Sequence, residues 1–154
     1  MISVEQALEK ILAYVDILEE EEKPILDCLG QVLAEDIYSG IDVPPLDNSA
    51  MDGYAVQSRD TRNASSEAPR FLSVIGMVAA GSISEREVAP GTAIRIMTGA
   101  PIPKGADSVV KFEDTDELLR RASTIDQQLP TEIGILCEAK AGLNIRRAGE
   151  DITK

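Results

Sequence analysis

The first fifteen residues alternate apolar and polar side chains with the period of an α-helix. Apolar residues recur three and four positions apart and share one face, at Val4, Ala7, Leu8, Ile11, Leu12 and Val15. Ser3 followed by Gln6 is the pattern of a capping box, in which each side chain bonds to the other residue's backbone. The pattern predicts an amphipathic helix over residues 4–15.

The next apolar positions are less regular. After an acidic turn closed by Pro24, Ile25 and Leu26 are predicted to be extended. A second helix is then predicted around three apolar residues, Leu29, Val32 and Leu33. Residues 40–48 are typical of a hinge.

Beyond the hinge, glycine and proline separate short runs rich in β-branched residues. Such runs predict strands, at residues 54–56, 71–78, 93–97, 108–112 and 133–137. Gly76 lies inside one run and indicates a bulge or a close backbone approach. Residues 142–146 are predicted as a turn or strand, and residues 116–121 as a brief helical turn. Together the elements predict an α+β protein with N-terminal helices and a small β-rich unit of short strands.

Composition excludes several classes of function. The 154 residues carry a net charge of −12, which argues against binding to nucleic acid or to an anionic membrane surface. No apolar run reaches membrane-spanning length or resembles a signal peptide, so a cytoplasmic protein is expected. The chain has no histidine, which removes Ser-His-Asp catalysis and most zinc sites. Cys28 and Cys137 are expected to be buried free thiols.

One loop concentrates candidate chemistry. Pro44 and Pro45 stiffen the backbone, and residues 47–49 are side chains that build turns, Asp47, Asn48 and Ser49. Asp52 and Gly53 then give a tight reversal into the strand at residues 54–56. The loop therefore presents two carboxylates, an amide and a hydroxyl, although an isolated Asp-Gly is usually a plain turn between strands.

A second candidate is the turn that follows the strand at residues 93–97. In Thr98-Gly99-Ala100-Pro101, glycine lets the backbone amides of residues 98–100 approach an anion. Arg95 and Lys104 flank the turn and are candidates to hold the oxygens of that anion. A simple β-turn at the end of a strand is the alternative.

A third candidate lies near the end of the chain. Arg146 and Arg147 precede Glu150 and Asp151. The paired signs predict a structural network of ion pairs, and an anion site is the alternative.

Three long stretches carry a resemblance to a known family. PPLDNSAMDGYAV, at residues 44–56, resembles the signature of the molybdopterin molybdenumtransferase (MoeA) family. PGTAIRIMTGAPIPKGADSVVKFEDT, at residues 90–115, and GLNIRRAGEDI, at residues 142–152, agree with the family in the same order. The resemblance covers most of the chain apart from residues 59–69.

The resemblance implies a domain organisation. Residues 1–41 and 116–154 are expected to form one discontinuous domain, into which residues 42–115 are inserted as a β-rich domain. In the family a larger pterin-binding domain follows this region, at the point where the sequence stops at Lys154. The chain is therefore expected to be the N-terminal and linker portion of the enzyme and to be inactive alone.

The resemblance also implies a function and a site. Enzymes of this family insert molybdate into adenylated molybdopterin, with Mg²⁺ as an expected cofactor. Asp52 and Thr98 match positions implicated in catalysis, and further contacts to substrate are expected from Asp47, Asn48, Ser49, Arg95, Gly99 and Pro101. Metal ligands are not assigned. A homodimer with a cleft shared between chains is expected, and the molybdopterin adenylyltransferase of the preceding step is a further expected partner.

Two other functions fit the sequence. A non-catalytic dimerisation or scaffold module would keep the same fold, as in relatives fused into receptor-clustering scaffolds. A free-standing hydrolase built on the carboxylates is disfavoured by the lack of histidine.

Overall fold

The structure of the chain is a computed structural model, which describes residues 2–118 and 129–154. Its contacts divide the chain into two compact units. Residues up to Tyr38 belong to the first unit, and residues from Ser39 onwards belong to the second.

The first unit contains helix α1, Val4–Leu12. The capping box is confirmed, since Gln6 N donates to Ser3 Oγ and Ser3 N donates to Gln6 Oε1, each at 3.2 Å. The helix ends three residues earlier than predicted. None of its residues is buried within this chain, and a short helix without a packed face frays at its ends.

The prediction of a second helix was wrong. Residues 29–33 are not helical, and the extended piece expected before them is a 3₁₀ turn, Ile25–Asp27. Gly30 has a left-handed φ of +82°, which breaks a helix. Leu29 is 97% exposed and Val32 is 93% exposed. A helix here would lack the packing that stabilises short helices in proteins.

The second unit is built from seven strands. Numbered along the chain, these are β1 (Asn48–Ser49), β2 (Gly53–Val56), β3 (Arg70–Val78), β4 (Thr92–Ile96), β5 (Ser108–Lys111), β6 (Glu132–Ile135) and β7 (Ile145–Arg146). The five strands predicted beyond the hinge are confirmed to within two residues at each end, whereas a strand entry predicted at Ile37 and Tyr38 was wrong, since these residues are not in a strand. With α1, these strands confirm the α+β class.

Five strands form one sheet in the order β5-β2-β4-β3-β6. All neighbours are antiparallel except β3 and β4, which are parallel. The register of β3 against β4 shifts between Val74 and Gly76, which confirms the bulge predicted at that glycine. β1 and β7 form a separate two-stranded sheet.

The five-stranded sheet curls so that its two edges are bridged. The backbone that follows β5 runs along β6, where Asp116 N donates to Gly134 O and Leu136 N donates to Asp114 O, each at 2.9 Å. Because β6 pairs with β3, part of the segment 116–154 belongs to this sheet. The discontinuous domain formed by residues 1–41 and 116–154 stays a prediction. Residues 119–121 of the helical turn predicted at residues 116–121 lie outside the described residues.

Both faces of the sheet are covered by apolar side chains. Neighbouring strand residues point to opposite faces, so Tyr54 and Val56 pack on one side with Leu72 and Ile133, while Ala55 packs on the other. The second face also contains Val78, Val88, Ile94, Ile96, Ala100 and Val109. The strands thus form a rigid frame, from whose ends the loops project.

Replacing Gly53 by alanine is expected to destabilise the chain. A Cβ at this position would lie 2.0 Å from the carbonyl oxygen of Val110 on β5, so the strands would have to separate. We expect the free energy of unfolding to fall by about 1–3 kcal/mol or more in urea denaturation followed by circular dichroism. Gly76→Ala is the control, because its nearest contact is an ordinary 3.7 Å to the Arg86 side chain. Equal losses in the two variants would contradict this account.

Candidate functional site

The loop of residues 47–52 is held on both sides by the two other motifs. On one side Ser49 N donates to Ala100 O at 2.9 Å, and Gly99 N donates to Ser49 O at 2.8 Å. On the other side β1 pairs with β7, with Asn48 opposite Arg146. The structure therefore brings the three sequence motifs together at one place.

Asp52 and Thr98 are in direct contact. Asp52 Oδ1 accepts hydrogen bonds from the backbone N and from the Oγ1 of Thr98, each at 2.7 Å. The backbone bond first and the hydroxyl bond second lower the pKa of Asp52, and the charge of Arg95 adds to the effect. Oδ2 has no hydrogen-bond partner within residues 2–118 and 129–154. The site thus holds an ionised carboxylate in a fixed orientation with one oxygen available.

The turn at residues 98–101 has no amide free to bind an anion. Thr98 N is bonded to Asp52, Gly99 N to Ser49 O, and Ala100 N to Met97 O at 3.0 Å. The predicted cradle of free amides was therefore wrong in this structure. Gly99 is needed instead for the turn itself, since its φ of +80° is strained for other residues. Pro101 forms a bridge with Asn48, and contact of these residues with substrate stays a prediction.

Asp47, Asn48 and Ser49 hold the loop together. Asp47 accepts from Ala148 N at 2.8 Å and pairs with Arg147 Nη1 at 2.5 Å, and these bonds lower its pKa. The Ser49 hydroxyl is buried and donates to Met51 O at 2.5 Å. Asn48 Oδ1 is buried without a hydrogen-bond partner in the described part of the chain.

Arg95 points inwards. Its Nη2 lies 3.1 Å from Glu117 Oε1, and the two side chains are only 14% and 5% exposed. The guanidinium carbon also lies 4.8 Å from the centre of the Phe112 ring. The anion contact predicted for Arg95 stays a prediction, with the charge already paired in this structure.

The ion-pair network predicted for the third motif is confirmed. Arg146 Nη2 bonds both carboxylate oxygens of Asp151, at 2.5 and 2.6 Å, and Arg146 Nε lies 3.6 Å from Glu150. These carboxylates raise the pKa of Arg146. Sequence reasoning missed the partners that lie far away along the chain. No local signal marks Asp47 as the partner of Arg147 or Glu117 as that of Arg95.

Other kinds of site find little support. In residues 2–118 and 129–154, no three His, Cys, Asp or Glu side chains are grouped to hold a metal ion. The same residues contain no helix long and apolar enough to cross a membrane. Cys28 and Cys137 are free thiols, but both are half-buried and not buried as predicted, and burial raises the pKa of Cys137.

Comparison with known proteins places this chain in a class, the N-terminal domains of molybdopterin biosynthesis proteins. The model of the MoeA N-terminal region (domain I and II) matches residues 2–154. The chain belongs to this family, which confirms the resemblance of the three motifs.

Individual relatives agree with the family match. The molybdopterin molybdenumtransferase of Bacillus subtilis is 37% identical over 153 residues, which cover 99% of this chain and 34% of that protein. Molybdopterin molybdenumtransferase 2 of Mycobacterium tuberculosis is 40% identical over 129 residues, covering 84% and 29%. The crystal structure of the molybdopterin biosynthesis moeA protein from Pyrococcus horikoshii OT3 superposes with a TM-score of 0.76 at 36% identity, covering 97% of this chain and 37% of that one. The chain spans about a third of the length of these relatives.

Replacing Thr98 by valine is expected to raise the pKa of Asp52 towards its ordinary value. The variant removes the hydroxyl bond and keeps the backbone bond, so the shift is partial. The pKa is measured by carbon NMR of the carboxyl group. Thr98→Ser, which keeps the hydroxyl, is the control.

The same contact predicts the acid dependence of stability. Because folding lowers the pKa of Asp52, its contribution is complete above the unfolded pKa of about 4 and is lost as the pH falls through the folded pKa. The stability difference between wild type and Thr98→Val should therefore shrink in acid. A difference that stays constant from neutral pH to strong acid would contradict the assignment.

Proposed function

We propose that this chain forms one wall of the active-site cleft of a molybdopterin molybdenumtransferase, which inserts molybdate into adenylated molybdopterin. The observation that carries the proposal is the Asp52 carboxylate, which Thr98 fixes through two hydrogen bonds of 2.7 Å. The family match and the names of the relatives support the reaction class.

An ionised carboxylate in a fixed orientation is suited to accepting a proton and passing it on. When two thiols bind molybdate, one oxide can leave with both thiol protons as water. An ionised carboxylate close to the thiols accepts a proton and passes it to that oxygen, as a general base does. Direct contact between Asp52 and molybdate would place like charges together. Asp52 is therefore better suited to the thiols, or to hydrogen-bond donors of the pterin, than to the oxyanion.

Binding of Mg²⁺ stays a prediction, and the residues of the Asp52 loop do not support it by themselves. Asp47 is engaged by Arg147 and Ala148, and the Ser49 hydroxyl by Met51. No group of three candidate ligands occurs among the described residues. A magnesium ion would take its ligands largely from substrate oxygens, water and surfaces outside this chain.

The proposed cleft needs surfaces beyond this chain. Thr98 is exposed and Asp52 is half-buried, so an enclosed pocket requires further walls. The relatives are about three times as long as this chain, and in the proposal residues beyond this chain form the remaining walls of the pocket. In the proposal, the longer protein works as a cytoplasmic homodimer, a second subunit contributes to the cleft, and the adenylyltransferase delivers the substrate. The chain alone is inactive.

One observation favours the alternative of a binding module. The first unit exposes large apolar side chains, among them Tyr14 at 91%, Ile17 at 98% and Leu18 at 89%. Apolar surface of this kind marks sites of association. A scaffold role would use this surface and would not need the Asp52 carboxylate. Replacing Asp52 therefore distinguishes the two functions experimentally.

The catalytic proposal is tested in a chimera in which this chain replaces the matching 34% of the Bacillus subtilis relative. Asp52→Asn keeps the size of the side chain and removes the charge and the proton acceptor. We expect the rate of molybdenum insertion to fall by about 10²-fold or more, as for loss of a general base. Insertion is measured as molybdenum bound to the pterin product.

The matched control is Glu67→Gln, which removes one exposed carboxylate of the same unit. It should leave the rate unchanged. An Asp52→Asn chimera as active as the Glu67→Gln chimera would refute the proposal and favour the binding module.

A further inference from the structure

Four side chains form a connected group beneath the Asp52 loop, which we call the Arg95 group. Its members are Tyr54, Arg95, Phe112 and Glu117. Tyr54 lies opposite Arg95 in the pairing of β2 with β4, so both side chains lie on the same face of the sheet. Tyr54 is fully buried, and its Oη donates to Glu117 Oε2 at 2.8 Å.

The charges in this group are costly to bury. Arg95 and Glu117 are 3.1 Å apart with side chains 14% and 5% exposed. Removing two charges from water offsets most of their attraction, so such a pair contributes little net stability and is suited to fixing a geometry. Phe112 adds an edge-on contact with Tyr54, at 5.8 Å between ring centres, and lies under the Arg95 guanidinium.

The group is connected to Asp52 by two routes. On the first route, Phe112 N donates to the backbone oxygen of Asp52 at 3.1 Å. On the second route, Tyr54 follows Asp52 after only Gly53, whose backbone is pressed against β5. The backbone of Asp52 therefore has little freedom to move while the group is intact.

The group also fixes the partner of the carboxylate. Arg95 lies in β4, which ends at Ile96, and Thr98 is the second residue after the strand. Thr98 supplies both hydrogen bonds to Asp52 Oδ1. The Arg95 group thus anchors β2, which begins directly after Asp52, and β4, which ends two residues before Thr98.

We propose that the Arg95 group is a positioning device that aligns the Asp52 carboxylate with Thr98. In this role Tyr54, Arg95, Phe112 and Glu117 act through Asp52. The consequence for catalysis rests on the proposed function, whereas the alignment of the carboxylate does not.

The test uses the nitrogen-15-labelled chain and the amide of Thr98 as a reporter. An amide proton that donates to a carboxylate resonates downfield, and Asp52→Asn gives the reference position when the charge is gone. Tyr54→Phe keeps the ring and removes the bond to Glu117. We expect its Thr98 amide to move upfield towards the Asp52→Asn position and to exchange with solvent about fivefold faster.

Ala148 is the matched internal control, since its amide donates to the carboxylate of Asp47 in the same loop, at 2.8 Å. Its resonance should stay in place. Spectra are recorded where wild type and variant are both fully folded, so a general loss of stability would leave both amides unmoved. A Thr98 amide unmoved in Tyr54→Phe, or moved together with that of Ala148, would overturn the inference.

Arg95→Lys is the second variant, and it decides the question if Tyr54→Phe does not fold. Lysine keeps the charge beside Glu117 and loses the planar contact with Phe112. The same upfield shift of Thr98 is expected, and its absence counts against the device.

The chimera separates this inference from the proposed function. Tyr54→Phe should lower kcat with little change in KM, because alignment of the carboxylate matters after substrate has bound. If Asp52→Asn leaves insertion unchanged while Thr98 still shifts in Tyr54→Phe, the proposed function fails and the positioning role stands. If Asp52→Asn abolishes insertion while Tyr54→Phe moves neither the amide nor kcat, the positioning role fails alone.

Discussion

The pairing of the Asp52 carboxylate with Thr98 depends on a backbone clamp. Residues 48 and 49 are bonded on one side to the turn at residues 98–101 and on the other side to β7. A short loop that is hydrogen-bonded on both sides has little freedom to move. This constraint holds Asp52 Oδ1 at 2.7 Å from the two donors of Thr98. The sheet beneath, covered on both faces, makes the clamp rigid.

The strands could be predicted because their signal is local. Runs such as residues 108–112 are bounded by turn residues, and β-branched side chains favour a half-buried strand wherever the run is placed. The capping box of Ser3 and Gln6 is equally local. The second helix failed for the opposite reason. Its apolar spacing predicted a helix, but the side chains of Leu29 and Val32 are almost fully exposed, and packing is what stabilises a short helix.

The sequence singles out residues that the structure places close together at this loop, but it does not predict how they are bonded to one another. Motif resemblance pointed to Asp52 and Thr98, which the structure places in contact. The resemblance of the motifs to the family did not predict which hydrogen-bond donor contacts which acceptor. Glycine at position 99 suggested free amides, yet whether an amide is free depends on the strand that lies next to it. Arg95 suggested an anion site, yet Glu117 decides where that charge goes.

The charges of the three motifs bear on which groups of the proposed enzyme bind oxyanions and which accept protons. Each candidate arginine is paired with a carboxylate of the same chain: Arg95 with Glu117, Arg146 with Asp151, and Arg147 with Asp47. Within these motifs, every arginine lies within 3.1 Å of a carboxylate oxygen, and Asp52 adds a negative charge at the surface. A chain with a net charge of −12 that binds molybdate or adenylate phosphates directly would work against its own field. In the proposed enzyme this wall is therefore suited to orienting the thiols and accepting a proton from them, and exposed Lys104 is the candidate of the second motif for contact with the oxyanions.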